Sequence, residues 1–147
     1  MVDDSVEIWF RVPPDAHGYP SSQPWEQLYA TPLGDAVYRV GNIPFFARGI
    51  AFGDTVTAHT TEAGWLEFGD VVGRSGHSTF RLWVAEQVRD VEAVARQLKD
   101  YGCQVERTLE RLLAVDVPPD LEESVWQFLQ AGKQRGEWAL QVGYSPD

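Results

Sequence analysis

Within Arg74-Ser75-Gly76-His77-Ser78-Thr79 the chain places a guanidinium, an imidazole and three hydroxyls inside six residues, with a glycine giving the backbone room to turn. These are the groups of proton transfer and nucleophilic attack. An imidazole titrates near neutral pH, so His77 is a candidate general base or acid. Ser75 or Ser78 becomes a nucleophile only where a base and an oxyanion site converge on its hydroxyl. The spacing is not that of the Gly-x-Ser-x-Gly elbow, and residues adjacent on an extended chain point apart. The bland alternative is that these groups satisfy backbone atoms at a join between two folded units.

A second stretch, Asn42-Ile43-Pro44-Phe45-Phe46-Ala47-Arg48-Gly49, is dense in aromatics and turn formers. As a ligand site it would use Phe45 and Phe46 as walls, Asn42 as a polar contact and Arg48 against an anion, with Arg74 and His77 as further contacts. As packing it would be an irregular corner that plugs a barrel end with phenylalanine. Asp54, after Gly53, reads as a turn residue rather than a catalytic acid. His17, His59 and His77 include no pair at a ligand spacing such as i, i+4, so no metal is expected, and no motif calls for a cofactor. Cys103 is the lone cysteine, which excludes an internal disulfide or a multi-cysteine metal site, and it reads as a small buried hydrophobe.

The elements that must position these residues change character midway. Val6, Ile8, Phe10 and Val12 alternate with Glu7, Trp9 and Arg11, the period of a half-buried strand that Pro13-Pro14 ends. Asp15 to Pro24 reads as an irregular loop. Strands follow at Glu26 to Thr31 (stopped by Pro32), Ala36 to Val40, Thr55 to Thr60 and Trp65 to Val72, with turns at Gly34-Asp35, Gly53-Asp54 and Glu62-Ala63-Gly64. An all-β unit of this size closes most naturally as a small barrel or a strongly bent sheet.

From Phe80 to Glu86 a further strand leads into Val91, Val94, Ala95, Leu98 and Tyr101, spaced for an amphipathic helix that Gly102 stops. Cys103 to Thr108 and Arg111 to Val117 read as a hairpin around Leu109-Glu110. A second helix then buries Leu121, Val125, Phe128 and Leu129, with Asp120 as cap, Glu123 completing the capping box, and Gly132 or Gly136 as stop. Trp138 to Tyr144 is the last strand. Trp9, Trp65, Trp83 and Trp138, at strand or helix spacing, are expected in cores or in packing between the units, and Trp126, off its helix stripe, at the surface or against the other unit.

The predicted fold is therefore α+β: a small β-barrel-like unit over residues 1–76, packed on a ferredoxin-like βαββαβ sandwich over residues 77–147. Each unit of about 70 residues would have a marginal core alone.

The chain has 147 residues, 44% apolar and 23% charged, a globular composition. Twelve basic against 22 acidic residues leave a formal charge of −10. That excludes general nucleic-acid binding, which needs cations along phosphates, and favours a basic protein partner. No apolar run approaches the roughly 18 residues of a membrane span, and the acidic Met1-Val2-Asp3-Asp4 start is unlike a signal peptide. We expect a cytoplasmic protein.

Trp25 to Asp35, Tyr38-Arg39-Val40, Asn42 to Gly49, Phe52-Gly53-Asp54-Thr55-Val56 and Arg74 to Thr79 together resemble a bacterial family of uncharacterised proteins, domain of unknown function 4265. The resemblance is strongest from residue 25 to 82, with Tyr29 standing where the family pattern has tryptophan. It implies a cytosolic bacterial protein and conveys no activity. The leading expectation is a non-enzymatic, acidic protein-binding or regulatory module, of inhibitor or immunity type, existing as a monomer or homodimer. The alternative is a small-molecule-binding protein or enzyme, with a site at the subdomain junction around His77.

Overall fold

Apolar side chains on every second residue of Val6–Arg11 (β1) give that strand one dry and one wet face. The structure is a computed structural model that describes residues 4–12 and 24–146, so the expected loop from Asp15 to Pro24 and His17 lie largely or wholly outside the described residues. Ile8 and Phe10 are buried, whereas Glu7 and Arg11 are exposed. Trp25–Gly34 (β2), Val37–Val40 (β3), Thr55–Thr60 (β4) and Leu66–Gly73 (β5) follow. Neighbours in the chain pair antiparallel, and β5 returns to β1 in parallel through Ile8↔Leu66 and Trp9↔Glu67. The result is a closed five-stranded barrel, and closure removes the exposed sheet edges that invite aggregation. Ile8, Phe10, Leu28, Ala30, Val40 and Val56 are among the side chains that fill it.

Two expectations for this unit need correction. Pro32 does not end β2, because the ladder to β3 is irregular between Pro32 and Gly34, where a residue without an N–H is tolerated. Trp9 and Trp65 do not take the core places that their spacing allowed, and Trp25 is likewise absent from the core. They lie outside the barrel interior, Trp9 in the phase of Glu7 and Arg11, its ring 6.3 Å from Trp25 and 5.4 Å from Trp65. The Arg11 guanidinium sits 4.5 Å over the Trp25 ring.

The second unit is built from Ser78–Val84 (β6), Val91–Tyr101 (α1), Gln104–Thr108 (β7), Leu112–Val117 (β8), a 3-10 turn at Pro119–Leu121, Glu122–Gln134 (α2) and Trp138–Tyr144 (β9). Its antiparallel sheet has the order β7-β8-β6-β9. The chain thus combines a closed barrel with a second sheet and two helices, in two compact units, Met1–Ser75 and Gly76–Asp147. Phe80, Leu82, Leu113, Val115, Val94, Leu98, Val125 and Leu129 form the core of the second unit. Asp90 caps α1 by accepting from the Ala93 N–H, and Gly102 ends it in the left-handed region at φ 112°.

The start of α2 differs from expectation. Asp120 falls in the 3-10 turn, and the helix begins after Leu121 without a side-chain cap. Pro118-Pro119 preset the tight turn, and its backbone bonds occupy the place a cap would take. Gly132 is not a stop but lies inside the helix beneath Trp138, whose indole N–H donates to Leu129 O at 2.9 Å. A Cβ at Gly132 would come within 2.0 Å of the Trp138 ring. Replacing a helical glycine by alanine ordinarily stabilises by up to about 1 kcal/mol. Gly132→Ala is expected to do the opposite, costing about 1–3 kcal/mol through overpacking, read as a lower urea midpoint.

Candidate functional site

In the barrel unit, Arg74 and Ser75 converge on Asp54, which follows Gly53 at the start of β4 and is wholly buried. Asp54 Oδ2 accepts from the Ala51 N–H at 2.9 Å and from Arg74 Nη1 at 3.0 Å. Its Oδ1 accepts from the Ser75 N–H at 2.9 Å and lies 3.2 Å from Ser75 Oγ. Ser75 Oγ also donates to Phe52 O at 2.7 Å, and Arg74 to Gly49 O at 2.8 Å. Gly53 has φ +85° and a Cβ there would meet Ser75 at 3.1 Å, so this close approach needs glycine. Asp54 is thus a structural carboxylate holding residues 49–54 to residues 74–75, and Ser75 and Arg74 serve it.

The Asn42 to Gly49 corner is held in a related way. Glu26 on β2 accepts the N–H groups of Phe45, Phe46 and Ala47 at 2.7, 3.0 and 2.8 Å. Three successive amides make a cradle for an anion, and this one is filled by the chain's own carboxylate. Asn42 Oδ1 accepts from the Tyr29 N–H. Ile43, Pro44, Ala47 and Ile50 are the buried residues of the corner, while Phe45 and Phe46 are half-buried and Arg48 is exposed. The expected phenylalanine plug is therefore an aliphatic one. Glu26 was not singled out from the sequence, since a glutamate near a strand end resembles any solvated residue.

In the second unit His77 Nδ1 lies 2.9 and 3.0 Å from the two carboxylate oxygens of Asp116 on β8. Asp116 is buried and the imidazole is 24% exposed. A carboxylate on Nδ1 orients an imidazole for acid–base work. Ser78 does not join this pair. It pairs in register with Val117, whose side chain is in the core beneath the helices, whereas Asp116 pairs with Thr79 on the other face. Strand alternation therefore sends Ser78 away from Asp116. Its hydroxyl is buried with no hydrogen-bond partner among the described residues.

Arg81, also wholly buried, shares the Thr79–Asp116 face, and a Cβ at Gly143 would lie 2.0 Å from its Nη1. Neither Asp116 nor Arg81 was picked out from the sequence. The signal was there: each is a lone charge within an apolar strand. His59 is exposed on β4, and no group of three His, Cys, Asp or Glu residues is placed to hold a metal among the described residues.

A cavity of about 620 Å³ opens in the second unit between the start of α2 and the sheet. Phe80, Pro119, Trp126 and Val142 form its apolar wall, and Glu122 and Glu123 stand at it. Trp126 is 37% and Val142 44% exposed, and the Trp126 ring lies 5.5 Å from Phe80. Ser145 Oγ donates to Glu122 Oε1 at 2.9 Å, fixing that carboxylate. The sequence hint was Trp126 lying off the stripe of its helix.

Cys103 is buried, and burial, reinforced by the charge of Asp116, pushes its thiol from 9.0 up to about 11. A raised pKa favours the protonated form in the folded state. This contribution to stability is complete below about pH 9 and is lost as pH rises towards 11. Iodoacetamide at pH 8 should leave Cys103 unmodified in the folded chain and label it in urea, as read by mass spectrometry. Both Asp54 oxygens accept, so Asp54→Asn sets a donor against a donor whichever way the amide turns. It should cost about 2–4 kcal/mol in a denaturation followed by tryptophan fluorescence.

No curated protein matches the chain. A crystal structure described as that of a hypothetical protein from Neisseria gonorrhoeae superposes with a TM-score of 0.73 at 18% identity, over 99% of each chain. At that identity the likeness concerns the fold alone. The family model described as domain of unknown function (DUF4265) matches residues 26–140, a span that holds the Glu26 corner, the Asp54 cluster, the His77–Asp116 pair and most of the groove. By that match, the chain belongs to the DUF4265 family.

Proposed function

We propose that the protein is a non-enzymatic module that binds a basic protein partner, of the small inhibitor or immunity type, in the bacterial cytoplasm. The observation that carries this reading is the groove beside α2, where an exposed tryptophan and valine lie next to two glutamates. An apolar floor supplies affinity, while carboxylates at the rim select a cationic partner and speed its encounter. The formal charge of −10 extends the same field over the molecule. The strand order of the second unit supports reading it as a ferredoxin-like sandwich, a scaffold on which function lies in surface features rather than in the fold. The residues that suggested hydrolytic chemistry are otherwise engaged: Ser75 and Arg74 bind Asp54, and Ser78 faces the core.

The test is purification of the tagged chain from a bacterial host of its own kind, followed by identification of co-purifying proteins. The expected result is a stoichiometric basic partner that is released as salt rises to about 0.5 M, where exposed charges are screened. Replacing Asp90, Glu92, Glu122 and Glu123 by their amides should weaken that complex. A chain that elutes alone at every salt concentration, or a complex indifferent to the substitutions, overturns the reading.

The His77–Asp116 pair favours a second reading, a small-ligand site or enzyme centred on His77. Its mark would be a metabolite that raises the melting temperature of the wild type and not of His77→Ala. A screen that finds none removes it.

A further inference from the structure

The two edges of the second sheet are built differently. On one side β7, Gln104-Val105-Glu106-Arg107-Thr108, carries opposite charges in the middle of the strand. On the other, β9, Trp138-Ala139-Leu140-Gln141-Val142-Gly143-Tyr144, has no charged residue and no proline. It pairs with β6 along one side, and no other strand pairs with it among the described residues. Edge strands are ordinarily blunted by charge, proline or cover, because a row of unpaired amides and carbonyls invites another strand. By that comparison β7 carries the ordinary protection and β9 does not. Val142, 44% exposed, lies on this edge strand and also forms part of the groove wall with Trp126.

We infer that the partner enters as an extended segment that adds a strand to the outer edge of β9, seats an apolar side chain between Trp126 and Val142, and sets flanking Lys or Arg residues against Asp120, Glu122 and Glu123. The inference rests on the binding-module reading above and adds the mode of recognition. Strand addition supplies sequence-independent hydrogen bonds, and the groove supplies selectivity for alternate side chains. The volume of about 620 Å³ falls within the range of ligand pockets, about 300–1,000 Å³. Charge chooses the occupant. Residues 120–123 hold three carboxylates and no cation, and the next basic residue along α2 is Lys133. A second copy of this chain would bring another formal charge of −10, so a cationic segment from a different protein fits better.

The experiment follows amide and indole signals of the isotopically labelled full chain by NMR as a blocked alternating Lys–Val peptide with a central Leu is added. Its counterpart with Glu for every Lys is the control. Shifts should concentrate at Trp126 and at residues 140–145, and amides of β9 should gain protection from exchange. Glu122→Gln with Glu123→Gln should weaken the basic peptide about five- to tenfold at low salt, and Val142→Glu, at an exposed position, by at least about tenfold. Shifts confined to other surfaces, equal binding of the acidic peptide, or self-association through β9 without peptide would each overturn the inference.

The co-purified partner separates the two levels. A partner that binds wild type and Val142→Glu equally removes the strand-addition mode and leaves the binding module standing. If neither peptide nor partner binds, both fail.

Discussion

A carboxylate taken out of water must be given donors or it unfolds what surrounds it. Two buried carboxylates, Asp54 and Asp116, and the half-buried Glu26 organise this protein. Asp54 gathers the amides of Ala51 and Ser75 and the guanidinium of Arg74, so residues 49–54 and 74–75 are held together. Glu26 gathers three successive amides and gives a breaker-rich corner one conformation. Asp116 takes the imidazole of His77 in the sheet of the second unit. Asp54 and Glu26 supply, where regular ladders end, hydrogen bonds that a strand or helix would otherwise provide, whereas Asp116 sits within β8 and holds a side chain.

The same constraint explains why the most chemically suggestive residues are not assembled for nucleophilic chemistry. A serine whose hydroxyl donates to Phe52 O and lies beside a buried aspartate is part of the scaffold. The anion cradle at the corner is filled from within the chain, which leaves the exposed Arg48 as an ordinary surface cation. Apolar surface is instead left uncovered at Trp126 and Val142, and Val142 lies on a strand without charge or proline. Hydrophobic groups kept at a surface are the costlier choice for a monomeric fold and so the more informative one.

Much of the fold was legible because it depends on local periodicity. The two-residue alternation of β1 and the 3.6-residue spacing of Val91, Val94, Ala95 and Leu98 each require one kind of element, and the Asp90 carboxylate and the left-handed backbone of Gly102 mark the helix ends. The site was less legible because it depends on partners far apart in the chain. Twenty or more residues separate Asp54 from Arg74 and Ser75, and 39 separate His77 from Asp116. The nearby groups compete for such partners, and spacing alone does not reveal which succeeds. Because β6 starts at Ser78 rather than at Phe80, strand alternation turns Ser78 away from Asp116, the partner of His77.

By itself, the sequence determined an acidic α+β chain with five short strands followed by a β-α-β-β-α-β order, since composition and period are properties of neighbouring residues. Tertiary structure alone decided that the first five strands close through the β1–β5 pairing, that Gly132 lies beneath Trp138 instead of ending α2, and that three of the tryptophans lie outside the barrel interior. Only the folded chain, likewise, sets an uncharged strand edge beside an apolar groove with glutamates at its rim. Each of these outcomes is a contact between different elements, chosen by the burial and hydrogen bonding of the whole unit rather than by the preference of any one segment.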